Sequence, residues 1–428
     1  MIKILDTSKK NFILSLEKLL LSRKKKIQFN RFSVSKIIND VKKNGDKAIL
    51  KYEKRFSNNN IIIPNPKKIK KIISSLDPKI KQAIDLAYSR IYKFHSLQKF
   101  KNISYTDKLK NKLEYRFIPI DSVAVYVPGS TASYPSSVLM NAIPALVAKV
   151  KRIVMINPGK NGKQNPAVLY AAKKCKVSEI YSIGGPAAIA GITYGTKKIK
   201  KVDKIVGPGN SYVTAAKKEV FGDIGIEGMT AGPSEVTVVC DKFSNCDWVA
   251  SDLIAQAEHD SLAQCILISK DKGFIKKVKS SILIQLKKLP RASIARKSLL
   301  SNGIMMHVSS DQKIINIINK IAPEHLELNI KNYKKIIYKI KNAGSICLGK
   351  YAVMAMTDYN VGSNHILPTN SSARYSSGIS VNEFYKRISY INLSKKGIET
   401  LGPSVITLAN YEGLEGHARS VKLRIRRK

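Results

Sequence analysis

The 428-residue chain has little histidine, little acid and almost no tryptophan: six His, 30 Asp and Glu against 75 Lys and Arg, and one Trp. Side chains that exchange protons near neutral pH are therefore few, and each His is a candidate for chemistry. Five Cys (175, 240, 246, 265, 347) are scattered without a C-x-x-C pair. That excludes a cysteine-built zinc ribbon and a disulfide framework, and fits reduced thiols in a cytoplasmic protein. The start of the chain, Met1-Ile-Lys-Ile-Leu-Asp6, lacks an apolar run of signal-peptide length, and no stretch approaches a membrane span, so no membrane partner is expected. The G-x-G-x-x-G fingerprint is also missing, so motif alone does not support an ordinary dinucleotide fold.

Lysine, by contrast, is everywhere. The net charge is +45, while the hydrophobic share of 44% is ordinary. A basic excess of this size can serve nucleic acid or an anionic surface. Here Lys far outnumbers Arg, and the excess is spread through runs such as Arg23-Lys-Lys-Lys26 and Lys67-Lys-Ile-Lys-Lys71. A nucleic-acid groove would concentrate Arg and aromatics, so no nucleic-acid partner is expected. The length predicts two or three domains.

Residues 8–24 read as a short amphipathic helix with Phe12, Leu14, Leu16, Leu19 and Leu20 broadly on one side, an arm free to pack elsewhere, a second subunit included. Residues 33–100 are helical, with Asp77-Pro-Lys opening a new helix. His95 has no polar company there and is structural. From Asp121 the pattern changes. Strands at 122–127, 152–157, 179–183 and 203–206 each run into a Gly turn (Pro128-Gly129, Pro158-Gly159, Gly184-Gly185, Gly207-Pro-Gly209), and each turn is followed by a helix. Four repeats of strand, turn and helix predict a parallel sheet with helical crossovers. Backbone N–H groups at such turns suit phosphate, but glycine also simply closes tight turns, and the pattern leaves both readings open. A further strand at 235–240 precedes a helix over 247–257, with Ser244 and Asp247 as its capping box. A strand at 262–269, helices at 274–289 and 296–300, a strand at 303–308 and a helix at 314–321 follow, with His307 as core or edge filler. This second alternation is expected to join residues 25–120 in another α/β unit. Residues 331–428 repeat less clearly.

Polar chemistry gathers along this second region. Gln256 and His259, three apart, share one face at a helix end, where imidazole and amide oxygen make half of a site for zinc or a similar ion. Taken alone, the pair more readily fits a helix-end His satisfied by its surroundings. In Ile321-Ala-Pro-Glu324-His325, Pro323 fits a first helical turn and places Glu324 and His325 at a helix N-terminus. Both side-chain types transfer protons near neutral pH. Asp358-Tyr359 and His365 fall in one polar loop, and Glu412 and His417 in a Gly-rich stretch near the C-terminus. Four of the six His (259, 325, 365, 417) thus stand beside carboxylates or in Gly-rich loops.

With these segments in hand, the chain resembles the histidinol dehydrogenase family. The motifs are Tyr126-Val-Pro-Gly129, Ser133-Tyr-Pro-Ser-Ser-Val-Leu-Met-Asn-Ala-Ile-Pro144, Gly207-Pro-Gly-Asn-Ser-Tyr-Val-Thr214, Ala231-Gly-Pro-Ser-Glu235 and Gln256-Ala-Glu-His-Asp260, then Pro323-Glu-His-Leu326, Gly362-Ser-Asn-His-Ile-Leu-Pro-Thr369, Ala373-Arg-Tyr-Ser-Ser-Gly378 and Glu412-Gly-Leu-Glu-Gly-His417. They run in the family's order over roughly the whole chain. The resemblance implies an α/β enzyme of two parallel-sheet, incomplete Rossmann-like domains with an N-terminal helical arm and a C-terminal dimer-crossing segment. The implied division is 1–24 for the arm, 25–125 with 235–373 for the zinc and catalytic domain, 126–234 for the NAD-binding domain and 374–428 for dimerisation. The implied reaction is the NAD-dependent oxidation of L-histidinol through L-histidinal to L-histidine, closing histidine biosynthesis, in a cytoplasmic homodimer with one zinc per subunit. Gln256, His259, Asp358 and His417 would hold zinc, the last from the partner subunit, and would meet substrate there. Glu324 and His325 would be the catalytic pair. Ser234, His325, Tyr359, His365 and Glu412 would contact substrate, and Tyr126 and Asn210 would contact NAD.

Two positions depart from the family pattern. Ala187 stands after Gly184-Gly185-Pro186 where relatives usually carry Gln at a cofactor contact, and Ala215 stands where Glu is expected. The first implies a raised Michaelis constant for NAD that Ala187→Gln would lower. A metallohydrolase could also use zinc with a Glu and a His base, but has no need of the Gly-rich α/β repeat. The basic charge would also serve a DNA-binding module without dehydrogenase activity, and the change at Ala187 would also suit a folded but slow enzyme.

Overall fold

The structure, a computed structural model, describes residues 2–26, 31–129, 134–159, 163–227 and 232–425. Ser133 and Ala231 of the motifs above lie outside the described residues. In chain order the elements are β1 (Lys3–Asp6), α1 (Phe12–Lys26), α2 (Arg31–Ser57), α3 (Pro66–Ser74), α4 (Pro78–Ser96), β2 (Ile103–Thr106), β3 (Lys112–Pro119), β4 (Ser122–Tyr126), α5 (Pro135–Val147), β5 (Arg152–Ile156), α6 (Pro166–Lys174), β6 (Glu179–Tyr181), α7 (Gly185–Tyr194), β7 (Lys204–Val206), α8 (Ser211–Glu219) and β8 (Gly225–Ile226). They continue with β9 (Glu235–Cys240), α9 (Cys246–Ala257), β10 (Gln264–Ser269), α10 (Lys272–Gln285), α11 (Ala292–Asn302), β11 (Ile304–His307), α12 (Asp311–Ile321), β12 (His325–Asn329), β13 (Ser345–Leu348), α13 (Met354–Thr357), β14 (Tyr385–Asn392), α14 (Lys395–Tyr411) and α15 (Glu415–Ile425). No helix among the described residues is long and apolar enough to cross a membrane.

Two compact units result. The first joins the chain up to Gln98 with Asp121–Glu383; the second joins Lys99–Ile120 with Phe384–Lys428. The first unit contains two parallel sheets, ordered β6-β5-β4-β7-β8 and β1-β11-β10-β9-β12-β13. Their central strands are covered on both faces, which is why β4, β9 and β10 are buried at every position and read as near-continuous apolar runs. Helix starts follow capping chemistry: Asn65, Asp77 and Asn165 each accept a first-turn N–H and are followed by Pro at the first helical position.

Several expectations need correction. The N-terminal segment is not an arm directed elsewhere. β1 adds an edge strand beside β11, and Phe12 and Leu16 of α1 are buried in the core of the second sheet with Ile266, Met306 and Ile318. Helices α2 to α4 pack on α5 to α8, and Val34, Ile38 and Ile49 share a core with Ala124 and Ile156, so residues 31–96 cover the first sheet, not the second. The cap of α9 is Asn245, whose side chain accepts from the N–H groups of Asp247 and Trp248; the Ser244 hydroxyl instead donates to the Asn329 carbonyl. The helix expected at Pro323 is strand β12. Ala322 ends α12 in the left-handed region (φ 48), and the run His-Leu-Glu-Leu-Asn enters the middle of the sheet. Residues 331–428, irregular by sequence pattern, supply β13 to the second sheet and β14, α14 and α15 to the second unit. There β14, β3 and β2 form an antiparallel sheet.

Candidate active site

The second sheet gathers the predicted site residues along one rim, and parallel register explains why. Gln264 at the start of β10 pairs with Glu235 at the start of β9, and His325 at the start of β12 pairs with Val236. The amino ends of three neighbouring strands therefore lie side by side. A crossover helix runs back against its strands, so α9, linking β9 to β10, delivers its C-terminus to the same rim. That places Gln256 in its last turn and His259 just beyond it. Glu327 of β12 accepts from the Met354 N–H at 2.7 Å and so holds the start of α13, at whose end Asp358 stands.

The geometry is close. His325 Nε2 lies 3.8 Å from Asp358 Oδ1 and 4.0 Å from Glu324 Oε1. Glu324 Oε2 accepts from the Glu235 N–H at 2.7 Å. His365 Nδ1 donates to the Asp358 carbonyl at 2.7 Å, which leaves Nε2 as the bare ring nitrogen. Burial, then the charges of His365 and His259, lower His325 to about 3, so its imidazole is neutral at neutral pH. Burial pushes Asp358 up to about 7 and pulls His365 down to about 4. Glu324 is raised well above the usual carboxylate range, by burial first and the Glu235 charge second. Environments that drive neighbouring carboxyl and imidazole groups apart assign acid and base roles.

Gln256 is 1% exposed, yet neither its Oε1 nor its Nε2 has a hydrogen-bond partner within the protein. A buried primary amide left in that state costs on the order of 1–3 kcal/mol, and a ligand that bonds to it removes the cost. Among the described residues, no cluster of three or more His, Cys, Asp and Glu can hold a metal by itself. The first unit offers His259 and Asp358 together with the Gln256 amide, a nitrogen and oxygen donor set suited to zinc that lacks a fourth ligand. His259 is exposed at this rim and Ser234 is half-buried at the turn leading into β9. Tyr359 is 60% exposed. Glu412, at the C-terminal cap of α14, and His417, in α15, belong to the second unit and are both exposed.

The first sheet presents its carboxyl rim. Gly207, at φ 102, follows β7, where an added Cβ would stand 2.4 Å from the Tyr126 carbonyl, so only glycine allows β4 and this turn to approach. Lys217 of α8 is 1% exposed and donates to the Gly207 carbonyl from beneath the turn; burial lowers its ammonium to about 8. Asn210 caps α8 through its carbonyl oxygen, which accepts from Val213, and is exposed. At the Gly184-Gly185 turn the two leading amides are already bonded, Gly184 to the buried Glu53 carboxyl at 2.7 Å and Gly185 to the Tyr126 hydroxyl at 3.1 Å. That turn therefore does not offer phosphate the free amides its glycines suggest. Ala187 is 2% exposed and its methyl lies in the core of the first sheet, so the position presents nothing to a cofactor. Ala215 is partly buried against the same core. The loop from Asp358 to His365 reaches between the sheets, since the Asn364 amide donates to the Met140 carbonyl of α5 at 2.6 Å.

Sequence reasoning passed over two carboxyls behind the rim, Glu327 buried and Asp252 half-buried. Asp252 is one helical turn before Gln256, and Glu327 is two residues after His325 on the same face of β12. They hydrogen-bond each other; burial raises both, and the Asp252 charge raises Glu327 further, so a shared proton holds the pair together. The i, i+4 spacing from Gln256 was the one signal for Asp252. Glu327 was hidden once β12 was read as a helix.

Two parallel sheets, one bearing glycine turns and the other an acid–base cluster beside an unsatisfied amide, define an α/β enzyme. Comparison with known proteins makes this specific. The histidinol dehydrogenase family matches residues 21–425. The histidinol dehydrogenase of Pelagibacter ubique is 79% identical over 428 residues, covering 100% of both chains. That of Mesorhizobium japonicum is 46% identical over 396 residues, 92% of each. The crystal structure of histidinol dehydrogenase from Elizabethkingia anophelis superposes with a TM-score of 0.91 at 36% identity, covering 99% of this chain and 98% of that one. The chain belongs to the histidinol dehydrogenase family, and with it to the oxidoreductases of histidine biosynthesis.

Proposed function

We propose that the chain oxidises L-histidinol through L-histidinal to L-histidine, with NAD as oxidant and one zinc per subunit, in a cytoplasmic homodimer. The observation that carries the site is the buried, unpartnered Gln256 amide beside the Glu324–His325 pair. Zinc, when bound by Gln256, His259, Asp358 and the partner subunit's His417, supplies a positive centre for the imidazole and amine nitrogens of histidinol. NAD, when held at the first sheet, would supply the hydride acceptor that each of the two oxidations requires. His325, neutral at neutral pH, receives the alcohol proton on a ring nitrogen. Glu324, raised by burial and by Glu235, is a stronger base than a surface carboxylate and takes a proton from the water that adds to the aldehyde. Ser234, Tyr359, His365 and Glu412 orient substrate. Because the aldehyde stays bound between the two oxidations, it is kept from bulk water.

Residues 126–234 carry the cofactor on the first sheet, with Tyr126 and Asn210 as contacts. Residues 235–373, with the N-terminal strand and helix over residues 3–26 packed alongside, carry the chemistry, and residues 374–428 cross to the partner. The second unit supports that crossing: Ile388 and Tyr390 on one face of β14, and Leu401, Val405 and Leu408 at helical spacing on α14, are exposed on the single chain, apolar stretches of the kind that mark an interface. All five cysteines are free, as a reducing compartment requires.

Mixed dimers test the shared site. His259→Ala and His417→Ala chains, each inactive, are unfolded together and refolded. One of the two sites in each mixed dimer then has a complete ligand set, and partial recovery of histidinol-dependent NAD reduction is expected. No recovery would confine each site to one subunit and remove the partner's ligand from the scheme.

A further inference from the structure

The run Arg23-Lys-Lys-Lys26 reads as surface charge, but its first member is not on the surface. Arg23, near the end of α1, is 3% exposed. Its guanidinium uses three nitrogens on three partners. Nη1 pairs with the Glu235 carboxylate, Nη2 donates to the Pro233 carbonyl, and Nε donates to the Leu262 carbonyl at 3.3 Å. Each partner belongs to a segment that carries a residue of the proposed site. Pro233 precedes Ser234, and Leu262 lies three residues past His259. Glu235 reaches two segments more: its N–H holds Glu324 Oε2 at 2.7 Å, and its Oε1 accepts from the Asn370 N–H at 2.9 Å, at the end of the loop that carries His365. That loop is drawn against the same turn by Thr369, whose Oγ1 accepts from the Gly232 N–H at 2.7 Å. A side chain at position 232 would collide with Asn370.

On these contacts, and resting on the assignment of Glu324 and His325 above, we infer that Arg23 is a positioning residue for the reaction. The N-terminal helix lends the active site one planar cation that sets the relative placement of Ser234, His259, Glu324 and His365 without touching substrate. The chemistry of guanidinium suits this task. Its donors diverge in a fixed plane, so one group can hold a carboxylate and two carbonyls from different strands at once, whereas a lysine ammonium at the same place is a point charge. Its charge also stands beside two buried carboxylates, Glu235 and Glu324, that otherwise repel each other. Displacement of catalytic groups by about an ångström can cost about a hundredfold in rate, so a tie remote from substrate can still control turnover.

The experiment uses the full-length dimer with zinc bound, comparing wild type, Arg23→Ala, Arg23→Lys and Glu324→Ala in histidinol-dependent NAD reduction, with zinc content and Tm measured on each. Arg23→Ala is expected to lower kcat by about ten- to a hundredfold, while the Michaelis constant for NAD stays within about twofold because the cofactor sheet is untouched. Millimolar guanidinium or ethylguanidinium should restore part of the lost kcat in Arg23→Ala and none in Glu324→Ala. Arg23→Lys should regain Tm near wild type while kcat stays low. The inference is overturned if Arg23→Ala keeps its kcat, or if Arg23→Lys restores kcat in full. It is overturned too if the loss simply tracks Tm and no guanidinium compound recovers it. Where Arg23→Ala does not fold, Arg23→Lys alone decides. Undiminished activity in Glu324→Ala is a different failure, since it would remove the catalytic assignment whatever Arg23 does.

Discussion

The two parallel sheets of the first unit share an architecture and, on the proposed function, use opposite rims of it. The first sheet works from the carboxyl ends of its strands, where glycine turns bring backbone close and Lys217 and Glu53 brace the turns from behind. The second works from the amino ends of β9, β10 and β12, where Glu324, His325, Gln256 and Asp358 gather. Binding at the carboxyl end of an open sheet follows from helix N-termini and their free amides. The amino end has no such amides to offer, so it must be furnished with side chains, and buried side chains bring shifted proton affinities with them. Backbone at one rim suits recognition of a large, repeatedly used cofactor; side chains at the other suit proton transfer.

Perturbing one rim at a time should separate these roles. The largest effect is expected at the second sheet: Glu324→Gln keeps the hydrogen bond from Glu235 but cannot take a proton, and kcat should fall by about 10²–10⁴-fold in steady-state assays with zinc content unchanged. At the first sheet Lys217 gives an effect on stability. Its ammonium is lowered to about 8 in the fold against 10.5 when exposed. Between those values the unfolded chain binds the extra proton, so stability rises with pH across the window, and the charge penalty is complete below pH 8. Denaturant unfolding should show a gain on the order of 3 kcal/mol from pH 8 to above pH 10, absent in Lys217→Met. A smaller change tests the cofactor contact itself. Asn210→Asp keeps a side-chain cap on α8 but sets a negative charge at the expected NAD site, and the Michaelis constant for NAD should rise about tenfold with kcat within about twofold. An unchanged constant would detach Asn210 from the cofactor. Smallest is Ala187→Gln. From sequence it should improve NAD binding; in the packed core of α7 it should instead lower Tm by a few degrees, the expected cost of overpacking being about 1–3 kcal/mol, and leave the constant for NAD where it was.

The first sheet could be read almost strand by strand because each buried strand ends in a glycine turn, and the turn announces the helix that follows. The second sheet was harder where local signals conflict. Pro323 before Glu324 mimics a helix start, and β12 is only five residues long, so nothing in its sequence outvotes the proline. β1 and β8 are too short to show a period. β14 is exposed at seven of its eight positions on the single chain and β3 is fully buried at none, which removes the alternation of apolar and polar residues that marks a strand resting on its own core. Among site residues, His259, Glu324, His325 and Asp358 stood out by residue type and company. Arg23, Asp252, Glu235 and Glu327 act through burial, which a sequence displays only when the element around the residue has been identified correctly.

Crowding the chemistry onto the amino ends leaves the far rim of the second sheet idle. The turns that follow Cys240 and Asn329 carry solvent-facing residues, among them Phe243 at 69% exposure and Lys331, whose N–H donates to Asp241. A fluorophore, an affinity tag or a linker to a surface grafted at either turn would therefore sit a full strand length from the reacting groups, and turnover could be watched or immobilised there with little penalty to the enzyme.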